Sequence, residues 1–245
     1  NIAVVTPNKK GNSGSFVQYK KLQELAQKNN VAFLYETNVG AALPIIHTIK
    51  NLLASGDKII KIEAVLSGTL SYIFNTFGSS DKSFSHIVRD AQNKGYTEPD
   101  PRDDLSGMDI ARKILILARE IGIKMELKQV QIKQFLTKEC LRAGSVDKFF
   151  KLLKKSDIDF ENRKLKLRKI NKVIRHIAVL ENGKASISLR EIPPTHPFFS
   201  LSDCDNIISI TTKRYKANPL VIKGPGAGAE VTAGGVLADI ISIFK

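Results

Sequence analysis

The sequence predicts an α/β fold, and two observations lead to this prediction. The chain opens with an apolar stretch, a segment with apolar residues at helical spacing and a second apolar stretch, at residues 2–5, 15–28 and 31–35. A strand–helix–strand order is typical of α/β proteins whose strands pair in parallel. Further strand and helix patterns follow along the 245 residues, a length that fits one large domain or two small ones.

The remaining elements follow from hydrophobic periodicity and from the glycine, serine and proline residues between them. Helices are predicted at residues 45–53, 83–94, 107–121 and 230–244, and strands at residues 58–66, 185–190, 206–212 and 220–223. A polar turn is predicted at residues 6–10, a small-residue elbow at 36–43 and a turn into a further helix at 67–70. Pro99 and Pro101 predict irregular structure up to residue 105.

The composition is that of a globular protein, with 42% hydrophobic and 25% charged residues. No uncharged apolar run approaches the roughly 18 residues that a membrane span requires, and no secretory leader is recognisable. Two cysteines, Cys140 and Cys204, cannot form a disulfide framework, and the four histidines lack zinc-ligand spacing. We therefore expect a cytoplasmic protein without a membrane segment or a structural zinc site.

The formal charge of +14 is concentrated in residues 148–175, which carry eleven Lys and Arg against three Asp and Glu. One interpretation is a module that binds nucleic acid or another acidic partner. The other is an amphipathic helical region that buries Phe149, Phe150, Leu152 and Leu153 and leaves its lysines in water. The second is favoured, because base-stacking aromatic residues do not interleave with the basic run.

An acid-rich loop, residues 95–105 with the sequence GYTEPDPRDDL, precedes the strongest helix pattern. Its four carboxylates would repel one another unless cations or hydrogen-bond donors met them. Asp109 and Lys113 lie one turn apart on the helix that follows, with Glu120 in the same stripe. The alternatives are a solvated acidic turn beside a surface ion pair, and a pocket that holds carboxylates and an amine for proton transfer.

A glycine-rich loop, GPGAGAE at residues 224–230, connects a predicted strand to the last predicted helix. Glycines let a backbone approach a ligand closely, and a helix N-terminus favours phosphate. A tight strand–helix junction explains the same spacing equally well.

Five blocks in order along the chain resemble the homoserine dehydrogenase family, in particular the dehydrogenase part of bifunctional aspartokinase–homoserine dehydrogenases. The blocks are TPNKK at 6–10, YETNVGAALP at 35–44, LSGTLSYIFN at 66–75, GYTEPDPRDDLSGMDIARK at 95–113 and GPGAGAEVTAGGVLAD at 224–239. The resemblance implies NAD(P)H-dependent interconversion of L-aspartate 4-semialdehyde and L-homoserine, in threonine, methionine and isoleucine biosynthesis.

The resemblance also implies an architecture: a partial Rossmann-like nucleotide domain plus an α+β substrate and dimerisation domain with a mixed sheet. The implied ranges are 1–38 and 224–245 for the remnant of the NAD(P)-binding domain, 39–175 for the substrate domain and 176–223 for a dimerisation segment. A homodimer or a larger assembly is therefore expected, with a small-molecule substrate and no membrane or nucleic-acid partner.

Site residues follow from the same resemblance. Lys113 and Lys9 match the catalytic lysines, and Glu98 and Asp109 match the acids that hold the substrate. The residues implied to contact NADP or NAD are Lys9, Gly95 and Gly228. Those implied to hold a monovalent cation, usually sodium, are Glu36 and the backbone oxygens of Val39, Ala41 and Leu43.

Members of this family begin with a strand and a GxGxxG-type turn, and the sequence shows neither. Its opening strand matches a point inside the nucleotide domain. We therefore expect a piece of a longer protein that reduces the substrate poorly by itself. We also expect Val236, Ile240 and Ile241 to be exposed on the last helix.

Overall fold

The computed structural model describes residues 2–244 and shows an α/β protein with a six-stranded sheet and a two-stranded sheet. The α-helices are α1 (Lys9–Ser13), α2 (Phe16–Lys28), α3 (Ile45–Ala54), α4 (Gly68–Ser79), α5 (Phe84–Asn93), α6 (Pro101–Leu105), α7 (Met108–Glu120), α8 (Lys138–Leu141), α9 (Val146–Leu153), α10 (Asp157–Lys169) and α11 (Ala229–Ser242). The strands are β1 (Val4–Val5), β2 (Phe33–Leu34), β3 (Ile59–Val65), β4 (Gln131–Ile132), β5 (Val173–Glu181), β6 (Lys184–Ile192), β7 (Asp205–Thr212) and β8 (Leu220–Pro225). None of the helices in this part of the chain is long and apolar enough to cross a membrane.

The large sheet has the strand order β4-β6-β5-β3-β7-β8. β4 runs parallel to β6, whereas the other neighbouring strands are antiparallel, so the mixed sheet is confirmed. β3 lies between β5 and β7 and is hydrogen-bonded to both. The residue that follows β3, Leu66, is therefore held at the end of a strand that is supported on both sides.

The two strands nearest the start of the chain form the separate sheet, with Val4 opposite Phe33 in parallel register. α2 connects them, as the strand–helix–strand pattern predicts. The side chain of Ser15 caps α2 by accepting a hydrogen bond from the Gln18 N–H. This confirms the α/β arrangement predicted for the opening residues.

The last helix, α11, packs against the 3-10 turn at Glu36–Asn38. A Cβ atom at Gly235 would lie 2.6 Å from Cγ2 of Thr37, so the close approach requires glycine. The Asp239 carboxylate accepts a hydrogen bond from the backbone N–H of Glu36 at 3.0 Å. The two ends of the described chain are thereby brought together.

The outer side of α11 is apolar and in contact with water. Ile240 and Ile241 are exposed, as predicted. Val236 is only partly exposed, which corrects the prediction, because it lies beside the buried stripe formed by Gly235 and Asp239.

A cluster of phenylalanine rings fills the space between α4, α5 and α10. Phe84 is fully buried at its centre, and its ring stacks on that of Phe160 with 3.9 Å between centroids. Phe77 meets Phe84 edge-on at 5.5 Å. This cluster belongs to the main core, which covers one face of the large sheet.

Residues 193–204 cover the opposite face of the sheet, where Phe198 and Leu201 pack near Ile207. Arg175 on β5 is buried here and donates hydrogen bonds to the carbonyl oxygens of Phe198 at 3.1 Å and Leu201 at 3.2 Å. Burial lowers the pKa of Arg175 to about 10. This guanidinium holds the covering segment in place, and it lies on the other side of the sheet from the main core.

The central strand β5 is missing from the sequence-based prediction, which is therefore wrong at this point. Its first half contains Arg175 and His176, which interrupt the apolar pattern expected of a buried strand. Both side chains are nevertheless buried. The predicted boundary between residues 175 and 176 falls inside β5, and the one between 223 and 224 falls inside β8. The division into nucleotide, substrate and dimerisation units stays a prediction.

Two segments predicted as irregular or as a turn are helical. Residues 101–105 form α6, because Pro101 occupies the first turn, where its missing N–H costs nothing, and Asp100 caps the helix. Lys9, predicted in a polar turn, begins α1, which Asn8 caps. Both differences arise from capping side chains whose helices are only one turn long.

The basic segment forms α9 and α10, as the interpretation of a helical region predicts. The four apolar residues singled out there are buried or partly buried: Phe149, Phe150, Leu152 and Leu153. Lys164 departs from the prediction because it is buried, and its ammonium donates to the Ser80 carbonyl at 3.0 Å. Arg168 pairs with Asp81 at 3.2 Å. These cations bind the loop after α4, and the nucleic-acid interpretation is not supported.

His176 predicts an acid-sensitive stability. Burial lowers its pKa from 6.5 to about 4, so the folded protein resists a proton that the unfolded chain accepts. Stability should therefore be lost as pH falls from about 6.5 to about 4, by about 3 kcal/mol in the limit of the full shift. We expect His176→Phe to weaken this pH dependence in urea unfolding, whereas His86→Gln, at an exposed position, should leave it unchanged. If the free energy of unfolding varied with pH equally in both variants, His176 would not be the source of the acid sensitivity.

Candidate active site

The helix α7 presents an acid and an amine on one face. Asp109 and Lys113 lie one turn apart, and Oδ2 of Asp109 is 2.8 Å from Nζ of Lys113. The helix begins after Gly107, whose φ of 74° places it in the left-handed region. The face opposite the pair is buried in the main core. The pair therefore has a fixed support.

Lys113 is tied to the large sheet as well as to Asp109. Its ammonium donates a hydrogen bond to the carbonyl oxygen of Leu66 at 2.8 Å, and 11% of its side chain is exposed. Because Leu66 follows β3, the amine lies where the central part of the sheet ends. One ammonium hydrogen remains for a third partner.

Lys9 approaches the same acid from the start of the chain. Its Nζ lies 3.4 Å from Oδ1 of Asp109. Although burial alone would raise the pKa of Asp109, the ammonium groups of Lys113 and Lys9 together hold it below its usual range. Asp109 is therefore an anion at neutral pH, flanked by two cations.

The acid-rich loop folds around a second carboxylate, Asp104. It accepts hydrogen bonds from the Glu98 N–H at 2.8 Å and from the Thr69 hydroxyl at 3.0 Å. Burial raises the pKa of Asp104, and the nearby charges of Glu98 and Asp109 add to the effect. From the sequence, Asp104 was not distinguished from the other three acids of the loop. The position of the second acid in the DD pair, five residues before Asp109, was the available signal.

These groups line one cleft of about 660 Å³. Its lining includes Lys9, Ala41, Ser67, Glu98, Asp104, Asp109, Arg112, Lys113, Gly226, Gly228 and Thr232. The structure thus brings together both predicted catalytic lysines, both predicted substrate acids and one of the predicted cofactor glycines. A small polar molecule with an ammonium group and a carbonyl fits this lining, because carboxylates and ammonium groups alternate within it.

Gly95 and Glu120, which the sequence analysis also names, do not line the cleft. Gly95 ends α5 with a φ of 72°, and its N–H donates to the Gln92 carbonyl, so a helix C-cap accounts for it. Glu120 lies at the far end of α7, where it accepts a hydrogen bond from the Tyr35 hydroxyl at 2.7 Å. Burial raises the pKa of Glu120. The charged stripe on α7 therefore reaches two separate places, the cleft at its start and the Tyr35 hydroxyl at its end.

The glycine-rich loop forms another part of the cleft wall. A side chain at Gly226 would overlap the side-chain amide of Asn206, which is buried. Neither Nδ2 nor Oδ1 of Asn206 has a hydrogen-bond partner within residues 2–244. Gly228 begins α11 without a side-chain cap, which leaves backbone N–H groups at the helix N-terminus. Unpaired polar groups and a free helix N-terminus beside the cleft fit a phosphate-bearing cofactor.

The elbow after β2 holds the residues implied to bind a cation. The carboxylate of Glu36 accepts the N–H groups of Ile46 and His47, both at 2.8 Å, so it caps α3. Burial raises the pKa of Glu36, although the two N–H groups oppose this rise. Helix capping therefore explains Glu36 without a cation.

The neighbouring backbone oxygens differ in their use. The Leu43 carbonyl accepts the Ile45 N–H at 2.8 Å, whereas no backbone hydrogen bond to the carbonyl oxygens of Val39 or Ala41 occurs within residues 2–244. Free carbonyl oxygens fit a hard monovalent cation. Among residues 2–244, no group of three or more His, Cys, Asp and Glu side chains is arranged to hold a metal ion.

Comparison with known proteins gives a consistent result. The family model described as homoserine dehydrogenase matches residues 44–241. The chain is 48% identical over 244 residues to a bifunctional aspartokinase/homoserine dehydrogenase 2, chloroplastic, of Arabidopsis thaliana. The alignment includes 99% of this chain and 26% of that protein. It is also 44% identical to a homoserine dehydrogenase of Schizosaccharomyces pombe, in an alignment that includes 100% of this chain and 67% of that protein. The chain thus spans about a quarter of the bifunctional relative.

Solved structures agree with the fold. A Candida auris protein of unknown function matches with a TM-score of 0.93 and 42% identity over 99% of this chain and 69% of that one. A hyperthermophilic archaeal homoserine dehydrogenase in complex with NADPH matches with a TM-score of 0.74 and 26% identity over 99% of this chain and 64% of that one.

Proposed function

Because the chain belongs to the homoserine dehydrogenase family, we propose that its cleft interconverts L-aspartate 4-semialdehyde and L-homoserine with a nicotinamide cofactor. The convergence of Lys113, Lys9, Asp109 and Glu98 on one cleft carries this proposal. The reaction would serve threonine, methionine and isoleucine biosynthesis. NADPH is favoured as the cofactor, since a structural relative is described in complex with it.

Lys113 is proposed as the proton donor. Reduction of an aldehyde places negative charge on its oxygen, which a nearby ammonium group stabilises and protonates. The ammonium of Lys113 has two fixed partners, the Leu66 carbonyl and Asp109, and its third hydrogen is directed by them. Oxidation of homoserine requires the same nitrogen to accept the hydroxyl proton.

Lys9, Asp109 and Glu98 are proposed to bind and orient the substrate. Its ammonium group requires carboxylates, and Glu98 and Asp109 line the same cleft as Lys113. Lys9 balances the charge of Asp109 and places a second cation near the reacting carbonyl. Asp104 holds Glu98 in place through its backbone N–H.

The cofactor is proposed to lie along the glycine-rich loop. Gly228 and Lys9 line the cleft there, and the unpaired amide of Asn206 lies beside Gly226. When bound, the nicotinamide supplies the hydride. Gly95 remains a predicted cofactor contact, although a helix C-cap explains it. The carbonyl oxygens of Val39 and Ala41 remain the strongest support for a monovalent cation, and dependence of activity on sodium over choline would test it.

The assay that tests this function follows NADPH absorbance with aspartate 4-semialdehyde, in protein that includes a complete nucleotide-binding domain. Substrate-dependent oxidation of NADPH supports the proposal, and its absence with stoichiometric NADPH binding contradicts it. The chain by itself should turn over slowly. Sedimentation of the same preparation measures the predicted homodimer.

Glu98→Gln should weaken substrate binding more than chemistry. The neutral amide keeps the shape but loses the attraction for the substrate ammonium, so KM should rise about 10- to 100-fold, as expected for loss of a charged hydrogen bond. The KM for NADPH should change little. Glu139→Gln on α8, at an exposed position, is the matched control. An unchanged KM for homoserine in the Glu98 variant would remove this acid from the substrate site.

A further inference from the structure

Arg119 lies on the last turn of α7, about 15 Å along the helix from Asp109 at 1.5 Å per residue. Its side chain is 0% exposed. The guanidinium donates hydrogen bonds to the carbonyl oxygens of Asn12 at 2.7 Å, Gly14 at 2.8 Å and Met125 at 3.0 Å. Two of these three acceptors belong to the end of α1, the helix that begins with Lys9.

α1 is therefore held by α7 in two places. At its start, Lys9 pairs with Asp109 at 3.4 Å, and at its end the Asn12 and Gly14 carbonyls accept from Arg119. A helix of five residues has too few hydrogen bonds to fix its own position, so its anchors decide where it lies. The Asn12 and Gly14 carbonyls lie where a helix C-terminus leaves carbonyl oxygens unpaired.

The surroundings of Arg119 strengthen this anchor. Glu126 lies 3.4 Å from the guanidinium and accepts the Phe16 N–H at 2.9 Å, which fixes the start of α2. The guanidinium also lies over the rings of Phe16 and Tyr19. Removing so buried a cation would leave three carbonyl oxygens without their donor.

We propose that Arg119 is a positioning residue, which sets the place of Lys9 in the cleft by holding the far end of α1. The proposal rests on the function proposed above for Lys9. It assigns a role in the reaction to a side chain that touches neither substrate nor cofactor. It also explains why a fully buried guanidinium occurs on a helix whose neighbouring face is apolar.

A double-mutant cycle on the enzyme with a complete nucleotide-binding domain tests the role in catalysis. Arg119→Lys keeps the charge but loses the fork that reaches two carbonyls, and kcat/KM should fall about 10-fold. In a Lys9→Met background, the same change should cost less than about 2-fold, because the group it positions is gone. Equal losses in both backgrounds overturn the proposal.

Arg175→Lys is the matched control, since Arg175 is also buried and also donates to carbonyl oxygens, on the other side of the sheet. It should lower stability without coupling to Lys9. If Arg175→Lys couples as strongly, the effect is general loosening and the proposal fails.

A second measurement does not require activity. Acetic anhydride labelling followed by mass spectrometry should show faster reaction of the Lys9 amine in Arg119→Lys than in wild type. The rate at Lys20, which pairs with Glu24 on the surface, should stay the same. An unchanged Lys9 rate contradicts the positioning role. If Lys9→Met instead proves fully active while labelling changes, the function proposed for Lys9 fails and the anchor stands.

Discussion

Lys113→Met is expected to lower kcat about 100- to 10,000-fold, the usual contribution of a positioned general acid or base. Methionine keeps the length and the apolar stem of the side chain but carries no proton. The Leu66 carbonyl and Asp109 lose their shared donor. In the proposed reaction, the alkoxide that would form on reduction loses its counter-charge. Because the amine is proposed to act on the substrate carbonyl, the KM for NADPH should change less than about 2-fold.

Steady-state and single-turnover rates with aspartate 4-semialdehyde measure this effect. Lys166→Met is the control, because Lys166 is exposed on α10. Thermal unfolding of both variants separates a loss of chemistry from a loss of folded protein. A Lys113 variant that retains more than about a tenth of wild-type kcat would show that another group transfers the proton.

Phe84→Ala is expected to lower the free energy of unfolding by about 3–5 kcal/mol, a large share of the stability of a typical domain. Phe84 is fully buried, stacks on Phe160 and meets Phe77 edge-on, so its removal leaves a cavity among rigid rings. Three helices, α4, α5 and α10, meet at this cluster.

Urea unfolding at neutral pH measures this loss. Ile158→Ala on α10 is the control, since 72% of Ile158 is exposed and its removal should change stability by less than about 0.5 kcal/mol. A loss below about 1 kcal/mol for Phe84→Ala would mean that the cluster repacks around the missing ring.

Local patterns predicted much of the fold, because several elements carry their own signals. α7 has a continuous apolar face, and α2 and α5 begin at serine caps, so periodicity and capping locate them. β3 alternates along its length. The convergence of Asp109, Lys113 and the acid-rich loop was also accessible, because helical spacing and adjacency along the chain bring them together.

Contacts between distant parts of the chain were not accessible in this way. β5 was missed because burial of Arg175 depends on carbonyls more than twenty residues away. The roles of Arg119 and Asn206 depend on segments that approach only after folding. Lys9 and Gly228 were predicted as site residues from the family resemblance, since no spacing rule connects either residue to α7.

The hydrogen bond between the Lys113 ammonium and the Leu66 carbonyl has a consequence for the protein on heating. The Lys113 nitrogen is hydrogen-bonded to the residue that follows β3, and β3 is paired with a strand along each edge. Strands of this kind open last, in the same event that melts the whole molecule. Heating should therefore displace this nitrogen only when the whole molecule melts.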